Sequence, residues 1–140
     1  MSSPTMSPTA SGVGLHFLAD YYGCSYAALN DAKRLREVLI EAVAKSGATI
    51  LSDRFEIFQP HGVTGVVIVA ESHVALHTWP ERGFMAVDYF TCSSRLDPHV
   101  AFDILARALG SARLETRQVV RGAGVGEPAG EHPEPSIPRP

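Results

Sequence analysis

Two eight-residue stretches, LADYYGCS at 18–25 and AVDYFTCS at 86–93, carry Asp, Tyr, Cys and Ser at matching places. Each closes a strand-like run, and each is followed by a helical pattern and then another strand pattern. An echo so placed restricts the chain to folds assembled from two related β-α-β units. In the first unit LHFLADYY reads as a strand. Asn30 or Asp31 then caps a helix with the apolar stripe Leu35, Val38, Leu39, Ala42 and Val43, ending near Gly47. ATILSDRFEIF follows as a strand, bent at its polar Ser52-Asp53 break. GVVIVAE and HVALHTW are strands by β-branching and period-two alternation, the latter stopped by Pro80, and FMAVDYF is a further strand. Asp97 and Pro98 open a second helix carrying Ala101, Ile104, Leu105, Ala108 and Leu109, stopped by Gly110, and ARLETRQVV closes the fold. The expected class is α+β: a two-layer α/β sandwich whose antiparallel sheet is covered on one face by two helices. The other face is then left for water or a partner, and the apolar alternation of several strands favours a partner.

The 140 residues suit one domain, and 45% hydrophobic with 19% charged residues is an ordinary globular balance. Residues 1–12 are rich in Ser, Pro, Thr and Gly and read as a disordered arm. From 122 to 140 there is little to bury and much proline, which reads as a disordered tail, so the folded domain is expected over 13–121. A net charge of −3 with scattered basic residues argues against nucleic acid. No signal-peptide pattern and no apolar run of membrane-spanning length is seen, and two cysteines make no disulfide scaffold or structural zinc site. A reducing cytoplasm is the expectation.

Chemistry concentrates in VVIVAESHVALHTWPE, residues 66–81. His73 and His77 would share a helix face, but on a strand four residues span about 13 Å, too far for one metal ion, so no metal is expected. Ser72 lacks the G-x-S-x-G elbow of a serine hydrolase, with Ala70 and Val74 at the glycine places. Partly exposed strand residues would account for Ser72, His73 and His77 singly, though not for Ser, two His, Trp, Glu and Cys within 21 residues.

The longer string ESHVALHTWPERGFMAVDYFTC, with DYYGC and FQPHGVTGVVIVAESH before it, resembles the signature of prokaryotic S-adenosylmethionine decarboxylase proenzymes. The resemblance runs from about Gly14 to Gly122. It implies a zymogen that cuts itself between Glu71 and Ser72 into a β chain, 1–71, and an α chain. In that family the serine hydroxyl attacks the preceding carbonyl, giving an ester. A base removes the α-proton, the ester is eliminated, and hydrolysis of the dehydroalanine leaves a pyruvoyl group. Ser72 would thus be the precursor of a covalent cofactor that forms a Schiff base with the substrate amine and accepts the electron pair released with CO₂.

By the same resemblance His77 is the processing base, Cys92 the proton donor to the α-carbon, and Thr64, where the family usually has serine, a hydroxyl that supports processing. Phe58 would stack on adenine and Glu81 hold the ribose hydroxyls. Gly62 and Gly65, flanking Thr64, suit a tight turn. Ser72 and His77 differ by five and fall on opposite strand faces, so a kink or turn is expected to bring them together. Cys24, equivalent to Cys92, reads as a small buried residue. The implied product is decarboxylated S-adenosylmethionine for spermidine synthesis, made by a homodimer of αβ units whose sites use both chains. Alternatives are the same chemistry on ornithine or arginine, or a non-catalytic regulatory paralogue.

Overall fold

The computed structural model describes residues 12–126. The expected arm and tail therefore lie outside the described residues, save Gly12 and residues 122–126. In chain order the elements are β1 (Gly14–Tyr22), α1 (Tyr26–Leu29), α2 (Ala32–Lys45), β2 (Thr49–Ile57), β3 (Val63–Ala70) and β4 (Ser72–Trp79). A 3₁₀ turn (Pro80–Arg82), β5 (Phe84–Thr91), α3 (Pro98–Leu109) and β6 (Arg113–Arg121) complete it.

Both long helices start and stop where local chemistry dictates. The Asp31 carboxylate accepts the Arg34 N–H at 3.1 Å to open α2, and Asp97 accepts the His99 N–H at 3.1 Å to open α3. Gly110, at φ 62°, ends α3 in the left-handed region that glycine enters without a Cβ penalty. The one-turn helix α1, unforeseen from hydrophobic periodicity, is capped by Ser25, whose hydroxyl accepts the Ala28 N–H at 3.1 Å.

The six strands form one sheet in the order β2-β3-β4-β5-β1-β6, and every neighbouring pair is antiparallel. Counting directions across the sheet makes β1 parallel to β2 and β5 parallel to β6. Each is a crossover connection, with α2 in one and α3 in the other. Parallel crossovers are right-handed. Because β1 and β5 run oppositely and their crossovers leave in opposite directions, the same handedness puts both helices on one face, where they pack on each other. The sequence echo is visible here: Ala19 and Val87, equivalent in the two stretches, are direct partners in the β1–β5 register. A local twofold axis therefore passes between them. The symmetry stops at β2, which lies beyond the β3–β4 hairpin instead of beside β5.

Alternation sorts the strands into two faces. Under the helices lie Leu15, Phe17, Ala19 and Tyr21 of β1, Val67 and Val69 of β3, Val74 and Leu76 of β4, and Met85, Val87 and Tyr89 of β5. They meet the stripe Leu35, Val38, Leu39, Ala42 and Val43 of α2 and Ala101, Phe102, Leu105 and Leu109 of α3. Burying one such Leu or Val contributes about 1.5–3 kcal/mol, so this layer holds the domain together. Two tyrosines in it keep a polar partner. The Tyr21 hydroxyl donates to the Phe102 carbonyl at 2.9 Å, and Tyr89 shares a 2.6 Å hydrogen bond with Ser46 at the end of α2. Burial holds both phenols above their ordinary pKa range.

Gly65 corrects one expectation. It sits inside β3 rather than in a turn, directly opposite Phe55, and a Cβ there would run into the Phe55 ring. The aromatic side chain covers the bare backbone of its cross-strand partner. Gly65→Ala is expected to lower the unfolding free energy by about 1–3 kcal/mol, read as a lower denaturant midpoint. Gly62, at φ 112°, does make the turn, its carbonyl accepting the Phe58 N–H at 2.9 Å.

The face without helices carries Leu18 and Tyr22 of β1, Val66 and Ile68 of β3, Ala75, His77 and Trp79 of β4, and Phe84, Ala86 and Phe90 of β5, all half-buried or exposed. Rings cluster on it in two groups. Phe90 lies 5.5 Å from His16 and 6.4 Å from His73, and Phe84 lies 5.3 Å from Tyr22 and 5.5 Å from Trp79. So much apolar surface on one face of a small domain marks an interaction site.

Candidate active site

The residues singled out in the sequence separate into two groups at opposite ends of the sheet. At one end, β3 and β4 join through a two-residue hairpin: Val69 pairs with Ser72, leaving Ala70 and Glu71 as the turn. Glu71 is exposed and Ser72 half-buried at the first position of β4. The β4–β5 register sets His73 opposite Phe90; continued by two residues, it sets Cys92 across from Glu71. Cys92 is a free, exposed thiol. Its counterpart Cys24 is 7% exposed, and burial pushes its thiol up from the ordinary range. The two equivalent cysteines thus differ in access, Cys92 open to solvent and Cys24 packed in the core.

At the other end lie Phe58, Thr64, His77 and Glu81. Thr64 and His77 are direct cross-strand partners, with Thr64 Oγ1 3.2 Å from His77 Nδ1. Phe58 follows β2 and is 51% exposed, so it is no core residue. Glu81 lies in the 3₁₀ turn after β4 and borders a hollow of about 690 Å³ lined also by Tyr22, Trp79, Arg82 and Phe84. Thr78 fixes the base of this end. Its buried hydroxyl donates to the Leu29 carbonyl at 2.8 Å and accepts the Val63 N–H at 2.9 Å.

The expected kink is absent, and this is the main correction. From His73 to Trp79, β4 alternates regularly and is paired on both sides. Five strand residues place His77 about 17 Å from Ser72 along the sheet. One chain does not bring its own histidine to its own serine. The residues singled out thus stand in two separate sets, Glu71, Ser72 and Cys92 at one end and Thr64, His77, Phe58 and Glu81 at the other.

Two residues that sequence reasoning passed over complete the second end. His61 Nε2 lies 3.2 Å from Glu81 Oε1, and His61 Nδ1 lies 3.2 Å from the Tyr26 hydroxyl. They lie 20 and 35 positions from their partners, beyond the reach of any local pattern. Among the described residues no three His, Cys, Asp or Glu side chains are grouped to hold a metal ion, and no helix is long and apolar enough to cross a membrane.

Comparison with known proteins follows the same lines. Residues 15–122 match the sequence model of the S-adenosylmethionine decarboxylase family. The S-adenosylmethionine decarboxylase proenzyme of Carboxydothermus hydrogenoformans is 42% identical over 117 residues, which span 84% of this chain and 92% of that one. The proenzyme of Moorella thermoacetica is 44% identical over 110 residues, 79% of this chain and 88% of its own. Among solved structures, the adenosylmethionine decarboxylase of Aquifex aeolicus superposes with a TM-score of 0.73 at 37% identity, covering 86% of this chain and 99% of that one.

Proposed function

Because the chain belongs to the S-adenosylmethionine decarboxylase family, we propose that it is a proenzyme that cuts itself between Glu71 and Ser72 and works as a pair of processed units. The enzyme decarboxylates S-adenosylmethionine. The observation that carries the fuller reading is the split of its candidate residues between the two ends of the sheet, Thr64 and His77 on the open face at one end and the Glu71-Ser72 hairpin at the other. A twofold pairing of two such faces buries the rings and aliphatic side chains now facing solvent. With the twofold axis running across the strands, it also sets the Ser72 end of one chain against the His77 end of the other, and an isologous contact repeats that meeting on both chains. Each pair of chains then holds two complete sites.

The residues at the hairpin suit a pyruvoyl group made from Ser72. That position is held in register by β3, with β5 alongside, so a carbonyl there would be fixed in direction. When formed, the group supplies a ketone that condenses with the substrate amine and takes up the electrons released with CO₂. This chain's own side chains do the rest. In processing, the Ser72 hydroxyl attacks the Glu71 carbonyl. His77 of the paired copy, its Nδ1 held by that copy's Thr64, takes the proton from the Ser72 α-carbon through Nε2 as the Glu71 carboxylate leaves the ester. In turnover, the Cys92 thiol returns a proton to the substrate α-carbon. Phe58 offers a face to adenine, and the Glu81 carboxylate accepts hydrogen bonds from the ribose hydroxyls. Ornithine and arginine, the rival substrates, bring no nucleoside for these two residues to hold. A cytoplasmic place of action fits an enzyme with two free thiols.

Intact-mass measurement of the purified protein tests the reading. Two fragments divided after Glu71 are expected, the second blocked to Edman chemistry and trapped by borohydride in the presence of amine. CO₂ release is expected from S-adenosylmethionine and not from ornithine or arginine. A single uncut species in every preparation would overturn self-processing and leave the regulatory paralogue.

A further inference from the structure

We propose that His61 is a positioning residue for the substrate: with Tyr26 it fixes the Glu81 carboxylate beside the loop that carries Phe58. The inference rests on the reading that Phe58 and Glu81 take the nucleoside.

The geometry assigns the protons. A carboxylate only accepts, so the 3.2 Å contact between His61 Nε2 and Glu81 Oε1 requires the hydrogen on Nε2. The neutral ring then presents Nδ1 as an acceptor, and the Tyr26 hydroxyl at 3.2 Å donates to it. Tyr26 thereby selects the tautomer that His61 needs in order to donate to Glu81. A ring edge-to-face contact, with centroids 5.7 Å apart, keeps the two side chains in place.

Three separate segments are tied together by these contacts. Tyr26 opens α1, His61 sits in the turn between β2 and β3, and Glu81 sits in the 3₁₀ turn between β4 and β5. The loop bearing His61 also bears Phe58. It is closed by the Phe58 N–H to Gly62 carbonyl bond and pinned to the end of α1 by the Gly62 N–H, which donates to Asn30 Oδ1 at 3.0 Å. An aromatic face and a carboxylate on two different loops are useful for one nucleoside only if their spacing is fixed. His61 is the side chain in contact with Glu81 from the loop of Phe58. Glu81 is 40% exposed at its side chain, so without this donor it is free to turn into water.

The role predicts a selective effect on binding. His61→Leu removes the donor at similar volume. It is expected to raise KM for S-adenosylmethionine by roughly tenfold, the scale of one charge-assisted hydrogen bond. Division after Glu71 and kcat should stay near those of the parent protein. His61→Gln, whose amide nitrogen reaches where Nε2 stood, should restore most of the KM; Tyr26→Phe, which removes one exposed hydroxyl, should raise it a few-fold. Added to Glu81→Gln, His61→Leu should raise KM little further. An unchanged KM in fully divided His61→Leu would overturn the inference, as would a loss shared equally by kcat with no rescue by glutamine. Should His61→Leu fail to fold, Tyr26→Phe decides, and an unchanged KM there overturns it. If Glu81→Gln raises KM while His61→Leu does not, the His61 inference alone falls; if Glu81→Gln leaves KM unchanged, the nucleoside reading beneath it falls.

Discussion

Ser72→Ala yields one undivided polypeptide with no measurable decarboxylation. The change removes a single oxygen at the half-buried first residue of β4, and its strand partner Val69 bonds through the backbone, so folding should be unaffected. On the self-processing reading, what is lost is the hydroxyl that attacks the Glu71 carbonyl from the next residue, and with it the source of the ketone. Without an electron sink, departure of CO₂ from an α-amino carbon has nowhere to place its electron pair. The loss should be complete where most single substitutions give a graded decline. Denaturing electrophoresis shows one band where the parent shows two, and circular dichroism shows an unaltered fold. Division of the alanine variant after Glu71 would disprove the assignment of Ser72.

Cys92→Ala separates processing from turnover. The thiol lies across from Glu71 by register, exposed and unpaired in the uncut chain, and no packing depends on it. A positioned acid contributes about 10²- to 10⁴-fold to proton transfer, so kcat should fall by at least about 10² while some division after Glu71 persists. Cys24→Ala should not imitate this. Cys24 is buried against the core and its pKa is raised by that burial, so it is a packing residue; its loss should show as lowered stability with kcat retained. Equal kcat losses in the two variants would refute the contrast between the equivalent cysteines.

The elements were legible because their signals are local. Asp31 and Asp97 cap the helices that periodicity outlines, and the β-branched and alternating runs fall in β3, β4 and β5. The duplication was legible as well, since Ala19 and Val87 meet at the axis that relates them. The pairing of His77 with Thr64 was not. They lie 13 residues apart, and their contact depends on the hairpin leaving only Ala70 and Glu71 unpaired, a register that hydrophobic pattern alone does not set. Gly65 looked like a turn residue because its partner Phe55 comes from another strand. Tyr26, His61 and Glu81 meet only after α1, a loop and a 3₁₀ turn converge, so no spacing in the sequence announces them. The resemblance supplied Ser72, His77 and Cys92 as names of parts; the regular pairing of β4 shows that Ser72 and His77 stand apart within one copy.

That straightness governs timing. On the two-chain reading, a freshly synthesised molecule has no base within reach of its own scissile bond and stays dormant until it encounters a twin. The lag before maturation should therefore lengthen on dilution, and at low abundance the cell would hold a reserve of silent precursor that awakens as its numbers rise.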